Sequence, residues 1–366
     1  MKFTTKRDSF LKPLQMVAGV VERRQTLPIL SNVLLRVADN VISMTGTDLE
    51  VELVARVSLD ASEAGEITVP ARKLVDIFRE LPDGTDIKVE LVEQKLIIRS
   101  GRFRSSLATL PATEFPTIDR SEISQKIELD GEALKRLIDR TSFAMAQQDV
   151  RYFLNGMLLE VSGNEVKAVA TDGHRLAMCT SEIGSAASTS EQVIIPRKGV
   201  VELQRMVGEA DGQVTIVFGT NHLVAETANF NLLTKLLDGK FPDYERVIPR
   251  GGDNVVVADR EELRHALNRT SILSNEKFRG IRVQLEAGNI QLSANNPEQE
   301  EAEETVSVDY QGESLEVGFN VGYLLDVLGV LDSEQVRITM SDANSSALVE
   351  EPGDDGSVYV VMPMKL

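Results

Sequence analysis

The string Thr171-Asp172-Gly173-His174-Arg175 holds residue types that hydrolases use: a carboxylate, an imidazole and, five residues past the imidazole, the only cysteine, Cys179. A nucleophile–base–acid set would need His174 beside a Ser or Cys with a supporting carboxylate. Odd spacing along a strand sets His174 and Cys179 on opposite faces, so His174 reads more simply as a turn or pocket residue. His222 and His265 sit in no recognisable motif, and no glycine-rich phosphate loop, His-x-Glu or Cys-x-x-Cys spacing occurs. A second candidate is EQEEAEE at 298–304, with five glutamates. It lacks the Asp/Asn alternation and turn glycine of a calcium loop, and reads as an acidic strand edge. Arg99, Arg102 and Arg104 on IIRSGRFRSSL carry the opposite charge, which would suit head-to-tail closure between chains. A third candidate is the terminal run VYVVMPMKL, where Met362, Met364 and Leu366 share one parity past a last core strand. Apolar, methionine-rich surface of that kind suits partner binding.

The elements that must position these residues repeat. Arg140-Thr141-Ser142 returns as Arg269-Thr270-Ser271, each closing a Leu-spaced helical stretch. A polar pair ending an alternating apolar run recurs at Asp48, Asp172 and Asn296, spaced 124 residues apart. A period of that size is a whole small domain. The reading is therefore α+β: three tandem copies of a two-helix, two-sheet domain, bounded at 1–125, 126–253 and 254–366. Helices are expected at 6–21, 132–146 and 260–270, and again at 72–80, 197–206 and 320–329. Between them NVLLRVADNVISMTGTD, NGMLLEVSGNEVKAVATD and IRVQLEAGNIQLSANN alternate with period two around Asn- or Gly-bearing turns, which predicts hairpins.

Composition narrows the function. Without Trp, and with aromatics at 5 %, the cores must be aliphatic. One cysteine allows no intrachain disulfide, fits a reducing cytoplasm and excludes a Cys-based zinc site. MKFTTKRDSF lacks an apolar signal core and no run nears the ~18 apolar residues of a membrane span, so a cytoplasmic protein with no membrane partner is expected. The net charge of −18 argues against nucleic acid. Its distribution does not: across the six helical windows Lys and Arg outnumber Asp and Glu by six, leaving −24 on the rest. Basic helices and acidic sheets suit an array that turns its helices toward a polyanion.

MKFT, LPIL-N at 27–32, TGTDLE, TVPARK, DVRY-LNGM at 150–157, ATDGHRLA, PRKGV, FPDY, ILSNEKFRG, ANNPEQEEAEE and YVVMPMKL together resemble the β subunits of bacterial DNA polymerase III, the replicative sliding clamps, over the whole length. The resemblance implies a processivity factor with no catalytic residues, metal or cofactor. It would be a head-to-tail homodimer closing a six-domain ring around double-stranded DNA without regard to sequence. It further implies a pocket for short motifs of the replicative polymerase catalytic subunit, the clamp loader, translesion polymerases and mismatch-repair proteins. That pocket maps to Leu154, Thr171, Gly173, His174, Arg175, Leu176, Pro242, Arg246 and Val247, with Asn320, Tyr323, Asn344, Ser346 and Val360. The terminal Met362, Pro363, Met364, Lys365 and Leu366 complete it. DNA contacts map to Arg24, Arg72, Gln148, Tyr152, Phe153 and Lys198. The dimer seam maps to Lys73, Arg102, Phe103, Arg104, Leu107, Ile272, Leu273, Glu298, Glu300 and Glu301. Two positions depart from the family's best-known member: Asn344 replaces an apolar residue and Ser105 an aromatic one, and Phe103 is expected to take over the latter contact. Two other classes compete with this reading. One is a hydrolase or transferase using Asp172 and His174; the other is a monomeric peptide-binding array that never meets DNA.

Overall fold

The computed structural model describes all residues except 23–26, 119–121, 185–186, 188, 210–211, 355 and 366. Among the described residues six α-helices form where the periodicity places them: α1 Arg7–Val20, α2 Ala71–Glu80, α3 Gly131–Thr141, α4 Arg197–Val207, α5 Arg260–Ser271 and α6 Val321–Val330. The expected 132–146 helix is shorter. At its end the Thr141 hydroxyl donates back to the Leu137 carbonyl (2.7 Å) and the chain tightens into a 3-10 turn, Ser142–Ala144. Side chains cap the starts of three described helices: Asp130 accepts from the Glu132 amide of α3, Asp259 from the Glu262 amide of α5 and Asn320 from the Gly322 amide of α6.

All three predicted hairpins form, at Asn32–Ala38 with Val41–Thr47, Gly156–Ser162 with Glu165–Thr171, and Gly280–Glu286 with Asn289–Asn295. In the first, Asp39 and Asn40 both adopt positive φ (49° and 55°), as a two-residue turn that follows the strand twist requires. Buried residues alternate along the strands, and the core is aliphatic with a few aromatic pairs such as Phe10 on Phe78 (4.6 Å).

The chain divides into two compact units, Met1–Lys135 with Lys198–Leu236, and Arg136–Arg197 with Leu237–Leu366. Each holds one eight-stranded antiparallel sheet and one smaller sheet, of five strands in the first unit and four in the second. Six separate sheets were expected. Instead the central copy divides its strands. In the first unit Phe230–Lys235 pairs with Val51–Ser58, so strands of copies one and two share a sheet. In the second unit Arg175–Glu182 pairs with Ser357–Val361, doing the same for copies two and three. Sharing satisfies two strand edges that separate domains would leave open.

Candidate partner-peptide pocket and its surroundings

In the second unit, the turn between Glu165–Thr171 and Arg175–Glu182 is built by its own side chains. The Thr171 hydroxyl donates to the Arg175 carbonyl (2.6 Å) and accepts from the Gly173 amide (3.1 Å). Asp172 Oδ1 accepts from the amides of His174 and Arg175 (2.9 and 3.0 Å), and Oδ2 accepts from Arg175 Nε (3.1 Å). Both oxygens of the carboxylate are thus taken up by the turn. Cys179 is buried, and burial pushes its thiol above the ordinary value, which disfavours a thiolate nucleophile. Asp172 and Cys179 therefore serve structure, and His174 stands exposed at the turn.

Arg175 is held on every side. Its Nη2 donates to the Phe143 carbonyl (2.8 Å) and its Nη1 pairs with Asp326 of α6. The guanidinium lies over the rings of Phe143 (5.3 Å) and Tyr323 (4.6 Å). Expected as a peptide contact, it acts here as the fastener between the turn, the end of α3 and α6. Sequence reasoning missed Phe143 and Asp326, because nothing in their spacing announces a contact made only in the fold.

Leu154, Leu176 and Val360 are 1, 2 and 0 % exposed. Leu176 and Val360 form a floor with Leu158, Val169, Ile194, Phe241 and Tyr244. Tyr244 is pinned by its hydroxyl, which donates to Glu160 (3.0 Å), and so fixes the 3-10 turn Tyr244–Arg246. Pro242, just before that turn, and Arg246, its last residue, are exposed, with Arg246 paired to Asp243 (2.8 Å). Val247, whose amide donates to the Tyr244 carbonyl (3.0 Å), and Met362, whose amide donates to the His174 carbonyl (2.9 Å), remain 46 % and 43 % exposed. Ser346 and Pro363 are half-buried. Arg151, also missed in the sequence, bonds the Asp172 carbonyl (3.3 Å) and holds the Asp149 carboxyl down at about 2.

Several expected members sit differently. Met364 turns away, its amide donating to the Gly318 carbonyl (2.8 Å), and with Lys365 it lines a separate depression beside Asn275, Phe278 and Pro297. Asn320 is engaged as the α6 cap, and Asn344 is exposed in a turn whose Asp342 accepts its amide (2.7 Å). Leu366 lies outside the described residues, as does Arg24 of the DNA set. Of the other DNA candidates, Gln148 and Tyr152 are exposed, while Phe153 packs against the pocket floor. In the first unit Arg72 and Lys73 are exposed at the start of α2. Lys198 is drawn inward instead: its ammonium donates to the Val20 carbonyl and Glu22 (3.1 Å each) and pairs with Asp48. Burial opposes its charge, but the two carboxylates outweigh burial and hold its pKa above the ordinary lysine value.

Helical charge is tempered in the same way. Arg7 pairs with Asp8 and Asp83, Lys12 with Glu209, Arg136 with Asp354, Arg205 with Glu202, and Arg264 with Glu261. The excess counted along the sequence overstates the positive charge available to a phosphate.

Each unit also ends a sheet on an unpaired strand edge. In the first, Phe103–Ala108 is terminal, with Arg102, Phe103 and Arg104 exposed but Leu107 buried in its own core. In the second, Glu301–Ser307 is terminal, with Glu298, Glu300 and Glu301 exposed. Ile272, just past α5, is 76 % exposed, and Leu273 is half-buried.

Three family models of the DNA polymerase III beta subunit match in tandem: the N-terminal domain at 1–119, the central domain at 128–243 and the C-terminal domain at 245–365. The beta sliding clamp of Pseudomonas putida KT2440 is 61 % identical over 367 residues, and that of Escherichia coli K12 is 50 % identical over 367, each covering 100 % of both chains. A crystal structure of the Pseudomonas aeruginosa sliding clamp bound to griselimycin superimposes with a TM-score of 0.98 at 61 % identity, covering 100 % of both chains. The Caulobacter crescentus clamp with polyethylene glycol in a putative β-motif tethering region gives 0.94 at 39 % identity, covering 100 % of this chain and 99 % of the other. This chain belongs to the DNA polymerase III β-subunit family, the bacterial sliding clamps.

Proposed function

We infer that the chain is a DNA sliding clamp, a processivity factor that encircles duplex DNA and tethers the replicative polymerase through a peptide-motif pocket. Family membership over the full length carries the reading. The mechanism is topological: a closed ring cannot leave DNA sideways, so it diffuses along the duplex with whatever is bound to it. Ion pairing of so many helical cations supports sliding over holding, because each neutralised phosphate would steepen salt dependence and slow movement.

The ring is a head-to-tail homodimer of three-domain chains, divided at 1–125, 126–253 and 254–366. The basic edge at Arg102–Arg104 and the acidic edge at Glu298–Glu301 supply complementary ends. The pocket over Leu154, Leu176 and Val360, walled by Val247 and Met362, receives motifs of the polymerase catalytic subunit, the clamp loader, translesion polymerases and mismatch-repair proteins. No step of the work needs a catalytic group, and the site of action is the cytoplasm. Among the described residues no helix is long and apolar enough to cross a membrane.

The test is retention on nicked circular duplex after loading. It should persist through salt that removes ordinary phosphate binders and vanish when the circle is linearised. Equal loss from circular and linear DNA would overturn the topological mechanism.

A further inference from the structure

The turn that shapes the pocket has a counterpart 124 residues earlier, in the first unit. There the Thr47 hydroxyl donates to the Val51 carbonyl (2.9 Å) and accepts from the Leu49 amide (3.0 Å), while Asp48 Oδ1 accepts from the amides of Glu50 and Val51 (2.9 and 2.7 Å). Each of these bonds has its partner in the Thr171–Arg175 turn. The surroundings correspond as well. Leu30 and Leu34 stand 124 residues before Leu154 and Leu158. Phe115, followed by Pro116, matches Phe241 followed by Pro242. Leu110 bonds the edge strand Gly65–Pro70 through Thr68, as Leu237 bonds Glu191–Pro196 through Ile194.

One position differs in kind. Gly173 has φ +89°, and its counterpart Leu49 has φ +76°. A leucine rarely adopts that left-handed conformation. Leu49 is kept in it with its side chain packed against the cluster of Ile29, Leu30 and Phe115, alongside Leu34 and Leu110. In copy two the matching cluster receives no side chain from this position; the Arg151 guanidinium lies 2.9 Å from where a Gly173 Cβ would stand, and Val247 and Met362 are left exposed.

We propose that this position decides which copy binds a peptide: Leu49 seals the copy-one counterpart of the pocket as a built-in ligand, and Gly173 leaves the copy-two pocket open. The proposal rests on the reading that copy two receives partner peptides. It explains how two copies with one turn and one floor come to differ in binding. It also names the occupant of the closed site, an aliphatic side chain supplied by the turn itself.

The experiment titrates a fluorescein-labelled peptide from the replicative polymerase catalytic subunit into the full chain, as wild type, Gly173→Leu and Leu49→Gly. Wild type should take up one peptide per chain; absence of binding would refute the pocket reading itself, apart from this proposal. Gly173→Leu should bind at least about 30-fold more weakly, the share of a micromolar affinity that one buried aliphatic group carries. Leu49 shows that the turn itself accepts leucine, and the exposed Arg151 guanidinium, 2.9 Å from the added Cβ, must swing aside, so the fold and oligomeric mass should be kept and are checked by thermal melt and sedimentation. In Leu49→Gly the endpoint should move to two peptides per chain, the second site the weaker. Gly173→Leu affinity within threefold of wild type, or one peptide per chain for Leu49→Gly, overturns the proposal. Should Gly173→Leu not fold, the Leu49→Gly endpoint decides alone.

Discussion

The ends of α3 and α5 begin alike and finish differently. Each closes with Arg-Thr-Ser, and in each the threonine hydroxyl donates one turn back, Thr141 to Leu137 (2.7 Å) and Thr270 to Ala266 (2.9 Å). Beyond that local likeness, Arg140 is buried between Glu351 (2.6 Å) and Asp332 (2.7 Å), whereas Arg269 is exposed with Glu304 as its partner. Phe143 packs on Tyr359 (6.1 Å between rings) and under Arg175, and Ala144 is fully buried. Their counterparts are Ile272, which stands in solvent, and Leu273, half-buried. Local sequence makes the helix end; a neighbour decides whether its apolar face is covered. Copy two has that neighbour in its own chain, and in copy three Ile272 is left uncovered.

The largest expected effect separates the two ends by what they hold together. Ile272→Asp with Leu273→Asp should yield a folded monomer in sedimentation, since each lost aliphatic contact costs about 2–5 kcal/mol. An unchanged mass would remove Ile272 from the seam. Next, Arg140→Ala should lower unfolding free energy by about 3–5 kcal/mol, because it strands the buried Glu351 carboxylate, while Arg269→Ala should shift a denaturant curve only slightly, as an exposed pair does. Similar losses at both positions would erase the contrast. Third, Phe143→Ala should cost about 2 kcal/mol, below the value for a fully buried ring, with oligomeric mass intact. A change of mass there would mean that α3 also faces another chain. The smallest effect is acid dependence. Arg269 lowers the Glu304 carboxyl below its ordinary 4.5. The stability this brings is complete above pH 4.5 and is lost as pH falls through the lowered folded value. The stability gap between wild type and Glu304→Gln should therefore close in acid; a gap independent of pH would show that the pair contributes nothing.

Much of this was legible in the residues. The 124-residue period, the six helices and the three hairpins rest on local patterning, and the structure keeps all of them. The shared sheets were hidden, because the pairing of Phe230 with Ala55 and of Arg175 with Val361 joins distant strands that carry the same alternation as any other. For the pocket, resemblance supplied Leu154, Leu176, Val247 and Met362, while the restraint of Arg175 by Phe143 and Asp326 emerged only with tertiary packing. The ion pairs of Lys198 were hidden for a similar reason: only the fold brings Asp48 and Glu22 around it.

The shared sheets bear on heredity as well as folding. A duplicated domain ordinarily remains a module that can be deleted, swapped or multiplied. Here the middle copy is cut between two compact units, its strand Phe230–Lys235 bound into one and Arg175–Glu182 into the other. Excised, it would expose two long apolar edges, a recipe for aggregation. Once the copies had exchanged strands in this way, losing or adding a single repeat would break two sheets at once. The number three is thereby locked into the chain by its backbone hydrogen bonds, whatever partner later selected for it.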